Sequence, residues 1–255
     1  MLLFDTHAHY DDDAFAPDRA EVLSALPAAG VALVVDPGCD AASSRAAVAL
    51  AEQFPHVYAA VGLHPENCHG AGDAELEEIR RLCGHKKVVA IGEIGLDYYW
   101  QENPPRDFQR EIFRRQLALA GELRLPVIVH DRDAHGDALA IVADYLEVRG
   151  VFHCFSGSPE MAAELLKRGW FLGFDGPITY KNARRAPEVA AITPLERMLV
   201  ETDSPYLAPV PCRGKRNDSR NLPYIVETLA RWKGISPEEL ARCTCENGKR
   251  LFGLE

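Results

Sequence analysis

The chain has 255 residues, of which 47% are hydrophobic and 26% charged, as is ordinary for a soluble globular protein. The net charge of −10 argues against a protein that coats nucleic acid, although not against one that cleaves it. No run reaches the roughly 18 apolar residues of a membrane span, no basic signal-peptide start is present, and seven cysteines without disulfide-like spacing predict reduced thiols in the cytoplasm.

Apolar strand-like segments alternate with segments of helical periodicity along the whole chain. The predicted strands are residues 2–7, 31–36, 57–63, 88–93, 126–130, 150–155, 170–175 and 197–202. The predicted helices are residues 19–29, 41–53, 74–83, 106–124, 135–148, 159–168, 182–190, 222–233 and 237–252. Eight strand–helix units in succession predict an α/β protein with a single (β/α)8 TIM barrel. No linker or domain boundary interrupts residues 1–255, which we interpret as one metal-dependent hydrolase domain.

The first predicted strand ends in a pair of histidines, within the run Phe4-Asp5-Thr6-His7-Ala8-His9. Side chains alternate between the two faces of a strand, so His7 and His9 point the same way. Two imidazoles on one face, at the polar end of an apolar segment, are typical of a site for a divalent metal.

Four other predicted strands end in side chains of the same kind. Strand 4 ends at Glu93, strand 5 at His130, strand 6 at His153 and strand 8 at Asp203. A closed barrel is the fold that brings these separate strand ends to one centre, where the active sites of barrel enzymes lie.

Four imidazoles and two carboxylates are too many ligands for one tetrahedral zinc, and they indicate two metal ions. Glu93 is the expected bridge because its strand lies between the early and the middle histidines. The first ion is expected to bind His7, His9, Glu93 and Asp203. The second is expected to bind Glu93, His130 and His153. Two ions about 3.5–4 Å apart would activate a water for hydrolysis, and Asp203 could act as its general base.

Further residues near the same ends of the predicted strands have two interpretations each. His64 ends strand 3 and could contact substrate or belong to a structural loop. The run Tyr98-Tyr99-Trp100 follows strand 4 and could stack on bases or form a packed hydrophobic lid. The basic residues near Arg213 and Lys215 follow strand 8 and could contact an anionic substrate or be solvated surface.

These motifs resemble those of the TatD-type metal-dependent deoxyribonucleases, a branch of the amidohydrolase superfamily. The resemblance spans nearly the whole chain. The matching segments are Phe4-Asp5-Thr6-His7-Ala8-His9, Gly62-Leu63-His64-Pro65, Gly92-Glu93-Ile94-Gly95-Leu96-Asp97-Tyr98, His153-Cys154-Phe155-Ser156-Gly157, Thr179-Tyr180-Lys181-Asn182-Ala183, Glu201-Thr202-Asp203-Ser204-Pro205-Tyr206-Leu207-Ala208-Pro209 and Arg213-Gly214-Lys215-Arg216-Asn217.

The resemblance implies a hydrolase of DNA phosphodiester bonds, often a 3′–5′ exonuclease that prefers single strands. It implies the same six metal ligands, and it places Arg213 and Lys215 beside the site to hold substrate phosphates. Imidazole ligands favour Zn²⁺, Mn²⁺ or Fe, and the resemblance also allows Mg²⁺. No membrane or obligate protein partner is expected. An amidohydrolase or a small-molecule phosphoesterase is the alternative, because fold and metals do not separate these chemistries.

Overall fold

Eight parallel strands form the centre of the computed structural model, which describes residues 1–254. The strands are β1 (Leu3–Asp5), β2 (Val31–Pro37), β3 (Val57–Val61), β4 (Val88–Asp97), β5 (Val127–Arg132), β6 (Gly150–Phe152), β7 (Phe171–Phe174) and β8 (Met198–Val200). The α-helices are α1 (Arg19–Ala25), α2 (Ala41–Gln53), α3 (Asp73–Cys83), α4 (Arg106–Leu123), α5 (His135–Ala143), α6 (Pro159–Lys167), α7 (Ala186–Ile192), α8 (Leu222–Lys233) and α9 (Pro237–Phe252). Each strand pairs with the next one in the chain.

The last strand meets the first, which confirms the predicted TIM barrel. Beyond the paired strands, the amide of Thr6 donates to Val200 O over 3.3 Å. The amide of Asp203 donates to His7 O over 2.9 Å, and that of His9 to Ser204 O over 2.7 Å. Closure therefore continues past β1 and β8 into the segments that carry polar side chains.

Every strand contributes at least one buried apolar side chain to the barrel interior. These side chains are Phe4, Val35, Ala60, Val89, Ala90, Ile128, Val151, Phe171 and Leu199. Helix α9 closes the amino-terminal end of the barrel, where Phe252 packs on Phe4 with ring centroids 5.9 Å apart. Because the interior is filled and this end is covered, the opposite rim is the place where ligands can reach strand ends.

Strand β4 is longer than predicted, since it continues past Glu93 to Asp97. Its pairing with β5 shifts register between Ile91 and Ile94, as at a β-bulge, and resumes with Gly95 opposite His130. Gly95 has a φ of 143°, and a Cβ there would overlap the carbonyl oxygen of His130. Only glycine therefore allows the two strands to remain paired at this point.

Three predicted helices differ from the observed helices by more than one residue at an end. Helix α1 ends at Ala25 because Pro27 lacks the amide that would continue it, and residues 27–29 form a 3-10 turn. Helix α5 ends at Ala143, where tighter turns begin. Helix α7 begins at Ala186, with Pro187 in its first turn, rather than at residue 182.

Two further features concern the helices and the cysteines. Within residues 1–254, no helix has both the length and the apolar composition needed to cross a membrane. All seven cysteines are free thiols, and two of them, Cys68 and Cys245, are buried.

Candidate metal centre

The barrel brings the six predicted ligands together at the carboxyl-terminal rim. We call them the six-residue cluster: His7, His9, Glu93, His130, His153 and Asp203. The side chains of His7 and Glu93 are almost fully buried, and the Asp203 side chain is 15% exposed. Separate strand ends thus supply one compact group of imidazoles and carboxylates, as alternation along the strands predicts.

Glu93 lies at the centre of the cluster and directs its two oxygens to opposite sides. Oε2 lies 3.3 Å from His7 Nε2 and 3.4 Å from His9 Nε2. Oε1 lies 2.8 Å from His130 Nδ1 and 2.7 Å from His153 Nε2. One carboxylate therefore contacts two histidine pairs at once, which is the geometry that a bridging ligand requires.

Asp203 completes the side of the cluster formed by strands β1 and β8. Its Oδ1 lies 3.4 Å from His7 Nε2 and 3.6 Å from His9 Nε2. Three groups have donor atoms that all lie within 4.8 Å of one another: His7, His9 and Glu93; His7, His153 and Asp203; and His64, Glu93 and His130. Such groups of imidazole and carboxylate donors fit a divalent metal site.

Hydrogen bonds outside the cluster orient two of the imidazoles. His9 Nδ1 lies 3.0 Å from Pro37 O, a pure acceptor, so Nδ1 carries the proton and Nε2 faces the cluster. His130 Nε2 donates to Asp97 Oδ2 over 3.0 Å, and its Nδ1 faces Glu93. An acceptor behind each ring, with the other nitrogen turned inward, is the arrangement that supports metal-ligating histidines.

His64 reaches the same carboxylate with the opposite tautomer. Its Nδ1 accepts the amide of Glu66 over 3.2 Å, so in the neutral ring the proton lies on Nε2. That Nε2 is 3.4 Å from Glu93 Oε1. His64 therefore presents an N–H donor to the centre, which fits contact with an anion or a carboxylate better than coordination of a metal.

The electrostatics of the cluster favour ionised carboxylates, whereas the pKa values of its imidazoles shift in both directions. Burial lowers the pKa of His7 to about 4. Burial opposes ionisation of Glu93, but the imidazoles of His153, His64 and His7 hold the pKa of Glu93 well below its usual range. The pKa of Asp203 is also lowered, because the hydrogen bond from His9 and nearby imidazoles outweigh burial. Both carboxylates are thus ionised at neutral pH.

Two buried acids, Asp5 and Glu201, lie beneath the cluster. Asp5 accepts the amides of His7 and Thr202 and the hydroxyl of Thr202, which ties the ends of β1 and β8 together. Glu201 accepts the amide of Cys154 over 2.5 Å and lies 3.7 Å from His153 Nδ1. Both acids stand two residues before a predicted ligand, and strand alternation places each of them on the same face as that ligand.

Arg213 and Lys215 do not lie in the cluster. Both side chains are exposed in the loop after β8. The guanidinium of Arg213 lies over the ring of Tyr180, 4.4 Å from its centroid. Lys215 has no side-chain partner among the described residues. The two cations remain available to a ligand at the rim, and their role in substrate binding stays a prediction.

Removal of divalent metal with a chelator is expected to lower the melting temperature by about 5–15 °C. A ligand present at 100–1,000 times its Kd contributes about 2.7–4.1 kcal/mol, and each kcal/mol corresponds to roughly 2–4 °C for a chain of this size. Differential scanning calorimetry before chelation, after chelation and after readdition of metal measures the shift. An unchanged melting temperature would argue against a bound metal.

Metal binding is expected to release protons at pH 7. Although burial opposes it, hydrogen bonds with Asp97 and Glu93 raise the pKa of His130 to about 10, so this ring is protonated when no metal is present. A ligating nitrogen must lose its proton, and the apparent affinity for metal should therefore increase as the pH rises. Titration calorimetry in buffers of different ionisation enthalpy measures the protons released, and a His130→Ala variant should release fewer.

Known proteins resemble this chain over its whole length. The family model described as "TatD related DNase" matches residues 4–253. The "Uncharacterized metal-dependent hydrolase YabD" of Bacillus subtilis is 43% identical over 99% of this chain and 100% of its own length. The "3'-5' ssDNA/RNA exonuclease TatD" of Cronobacter sakazakii is 36% identical over 98% of this chain and 97% of its own length.

A solved structure gives the same result for the fold. The crystal structure of YjjV, a TatD homologue from Escherichia coli K12, superposes with a TM-score of 0.93 at 32% identity. The match covers 99% of this chain and 98% of that protein. With the barrel, the family model and these relatives in agreement, the chain belongs to the TatD-related DNase family and is a metal-dependent hydrolase.

Proposed function

We propose that the protein hydrolyses the phosphodiester bonds of single-stranded DNA from the 3′ end, with two divalent ions held by the six-residue cluster. The observation that carries this proposal is the position of Glu93, whose two oxygens face different histidine pairs. The printed name of the Cronobacter sakazakii relative, a 3′–5′ ssDNA/RNA exonuclease, supports the choice of substrate. Zn²⁺, Mn²⁺ and Mg²⁺ are the candidate ions.

The chain's own residues supply the remaining chemistry. Divalent ions, when bound, would lower the pKa of a water molecule to near neutrality and would neutralise charge on a phosphate. Asp203 is ionised and 15% exposed at the rim, so it can accept the proton that an attacking water loses. Glu93 stays ionised and holds the two histidine pairs together. The Nε2–H of His64 faces the same centre and can donate to a phosphate oxygen.

The direct test is cleavage of single-stranded DNA oligomers labelled at the 3′ or the 5′ end. Chelated protein is supplied with Zn²⁺, Mn²⁺ or Mg²⁺ in separate reactions, and products are resolved by length. Stepwise shortening from the 3′ end that requires metal is expected. Shortening from the 5′ end would overturn the polarity, and no cleavage with any metal would overturn the nuclease and favour an amidohydrolase or a small-molecule phosphoesterase.

The double variant Arg213→Gln, Lys215→Gln removes both cations. We expect it to bind DNA with lower affinity, and we expect that affinity to depend less on the salt concentration. Each phosphate contact to a single strand contributes about 0.7 to the slope of log K against log salt, so the slope should decrease by about 1.4. Fluorescence anisotropy of a labelled oligomer at several salt concentrations measures this change.

The matched control removes two exposed cations at the opposite end of the barrel, by Lys86→Gln and Arg124→Gln. The net charge changes equally in both double variants. If both lower the slope to the same extent, the effect is that of overall charge and the loop after β8 has no special role.

A further inference from the structure

Tyr99 and Trp100 are neighbouring aromatic side chains that stand exposed at the rim beside the cluster. Tyr99 is 50% exposed and Trp100 is 42% exposed, and their rings meet edge to face with centroids 4.7 Å apart. Tyr98 differs, since it packs against the core and donates its hydroxyl to Asp137 over 2.6 Å. The packed-lid interpretation therefore applies to Tyr98 alone, and the other two rings offer apolar surface to solvent.

The aromatic pair is held in place by a residue that also contacts the cluster. Asp97 Oδ1 accepts the amides of Tyr99 and Trp100 over 2.9 and 3.4 Å. Its Oδ2 accepts the Nε2–H of His130 over 3.0 Å. The side chain of Asn103 also donates to Asp97. The aromatic pair is thus anchored to the carboxylate that orients His130, which sets its position relative to the reacting centre.

A cation stands next to the same rings. Arg132 lies two residues after His130 on β5, hence on the same face of the strand, and its backbone pairs with Asp97. Its guanidinium lies 3.9 Å from the ring centroid of Tyr99 and 5.4 Å from that of Trp100. Arg132 forms no ion pair with a carboxylate of residues 1–254, so its charge remains available to a ligand.

We propose that Tyr99, Trp100 and Arg132 form a subsite for one unpaired nucleotide next to the bond that is cleaved. The base stacks on the exposed aromatic surface, and the guanidinium binds the adjoining phosphate. The subsite rests on the proposed nuclease function and adds a reason for preferring single strands, because the faces of a base are free only when it is unstacked from its neighbours. Stacking tolerates every base, so little sequence preference is expected.

Tryptophan fluorescence gives a direct signal for this contact. The chain has three tryptophans, of which Trp170 is 2% exposed and Trp232 is half-buried. Titration of an Asp203→Asn variant, in which cleavage is suppressed, with a single-stranded oligothymidylate should quench the emission of Trp100. Adding Trp100→Phe should remove the quenching while preserving most of the affinity, since phenylalanine still stacks. Binding without quenching would overturn the subsite.

Truncation of the aromatic surface separates stacking from catalysis. Trp100→Leu and Tyr99→Leu are expected to raise KM for a DNA oligomer roughly tenfold to a hundredfold, with kcat nearly unchanged. Arg132→Gln should raise KM and reduce its salt dependence. The control is Leu146→Ala, which truncates an exposed apolar side chain in the connection between α5 and β6. An unchanged KM in both aromatic variants would refute the proposal.

Oligomers that lack one base test whether the rise in KM comes from lost contact between that base and the aromatic rings. Removing the base near the cleaved bond should raise KM for the wild-type protein, but should add little to the defect of Trp100→Leu. Full additivity of the two changes would exclude contact between that base and the ring. If the wild-type protein cleaves DNA and the Trp100→Leu variant has the same KM, the proposed subsite is refuted but the proposed function is not. If neither binding nor cleavage of DNA is detected, the proposed function fails.

Discussion

Glu93→Gln is expected to reduce DNA turnover by about a thousandfold or more. The carboxylate contacts His7 and His9 through one oxygen, and His130 and His153 through the other. The glutamine amide keeps the shape of the side chain but removes the negative charge that both histidine pairs contact. Metal ions at such sites stabilise the transition state by several kcal/mol, and about 1.4 kcal/mol corresponds to a factor of ten.

Metal content and turnover should be measured together for this variant, by mass spectrometry and by the labelled-oligomer assay. We expect fewer than two ions per chain and near-background cleavage. Glu164→Gln is the control, because it makes the same substitution at a half-exposed residue of α6 that pairs with Lys167. Wild-type metal content with strong residual turnover would contradict the bridging role of Glu93.

Asp203→Asn is expected to reduce kcat by about two to four orders of magnitude, as the loss of a general base does. The hydrogen bond from His9 and the nearby imidazoles keep the pKa of Asp203 below its ordinary value of 3.8, despite burial. The wild-type base is therefore ionised throughout pH 5–8, and this group should not limit kcat there. In the variant, hydroxide from solution must replace it, so the residual rate should rise with pH.

A pH profile of kcat distinguishes this role from one in metal binding alone. The four histidines and Glu93 remain, so we expect the Asp203→Asn protein to retain most of its metal at saturating concentration. Asp144→Asn, at an exposed position after α5, is the matched control. A variant that loses both activity and metal, and recovers its rate when more metal is added, would assign Asp203 to metal binding rather than proton transfer.

The barrel and the six-residue cluster could be predicted because the necessary signals are local. An apolar run that ends in His, Glu or Asp indicates a strand whose polar end lies at one rim, and alternation decides which side chains point together. His7 and His9 illustrate this, since two residues of one strand suffice to place both rings. Closure of eight such strands then requires that their ends meet.

Hydrogen-bond partners across the barrel could not be predicted in the same way. Asp97 faces His130 because β4 continues past Glu93 through a register shift, and that shift depends on how Gly95 packs against the backbone of β5. The tautomer of His64 depends on the amide of Glu66 folding back onto its ring. The exposure of Trp100, in contrast to the packing of Tyr98, depends on the neighbours of each ring.

The amino-acid sequence alone determined the fold class, the order of the elements and the identity of the six clustered side chains, because hydrophobic periodicity and alternation are properties of short segments. Only the tertiary structure decided that Glu93 contacts both histidine pairs, that Asp5 and Glu201 lie buried beneath them, and that Arg132 stands beside Tyr99. Each of these contacts joins residues from different strands or their extensions, and their distances are set by barrel closure and packing rather than by local preference.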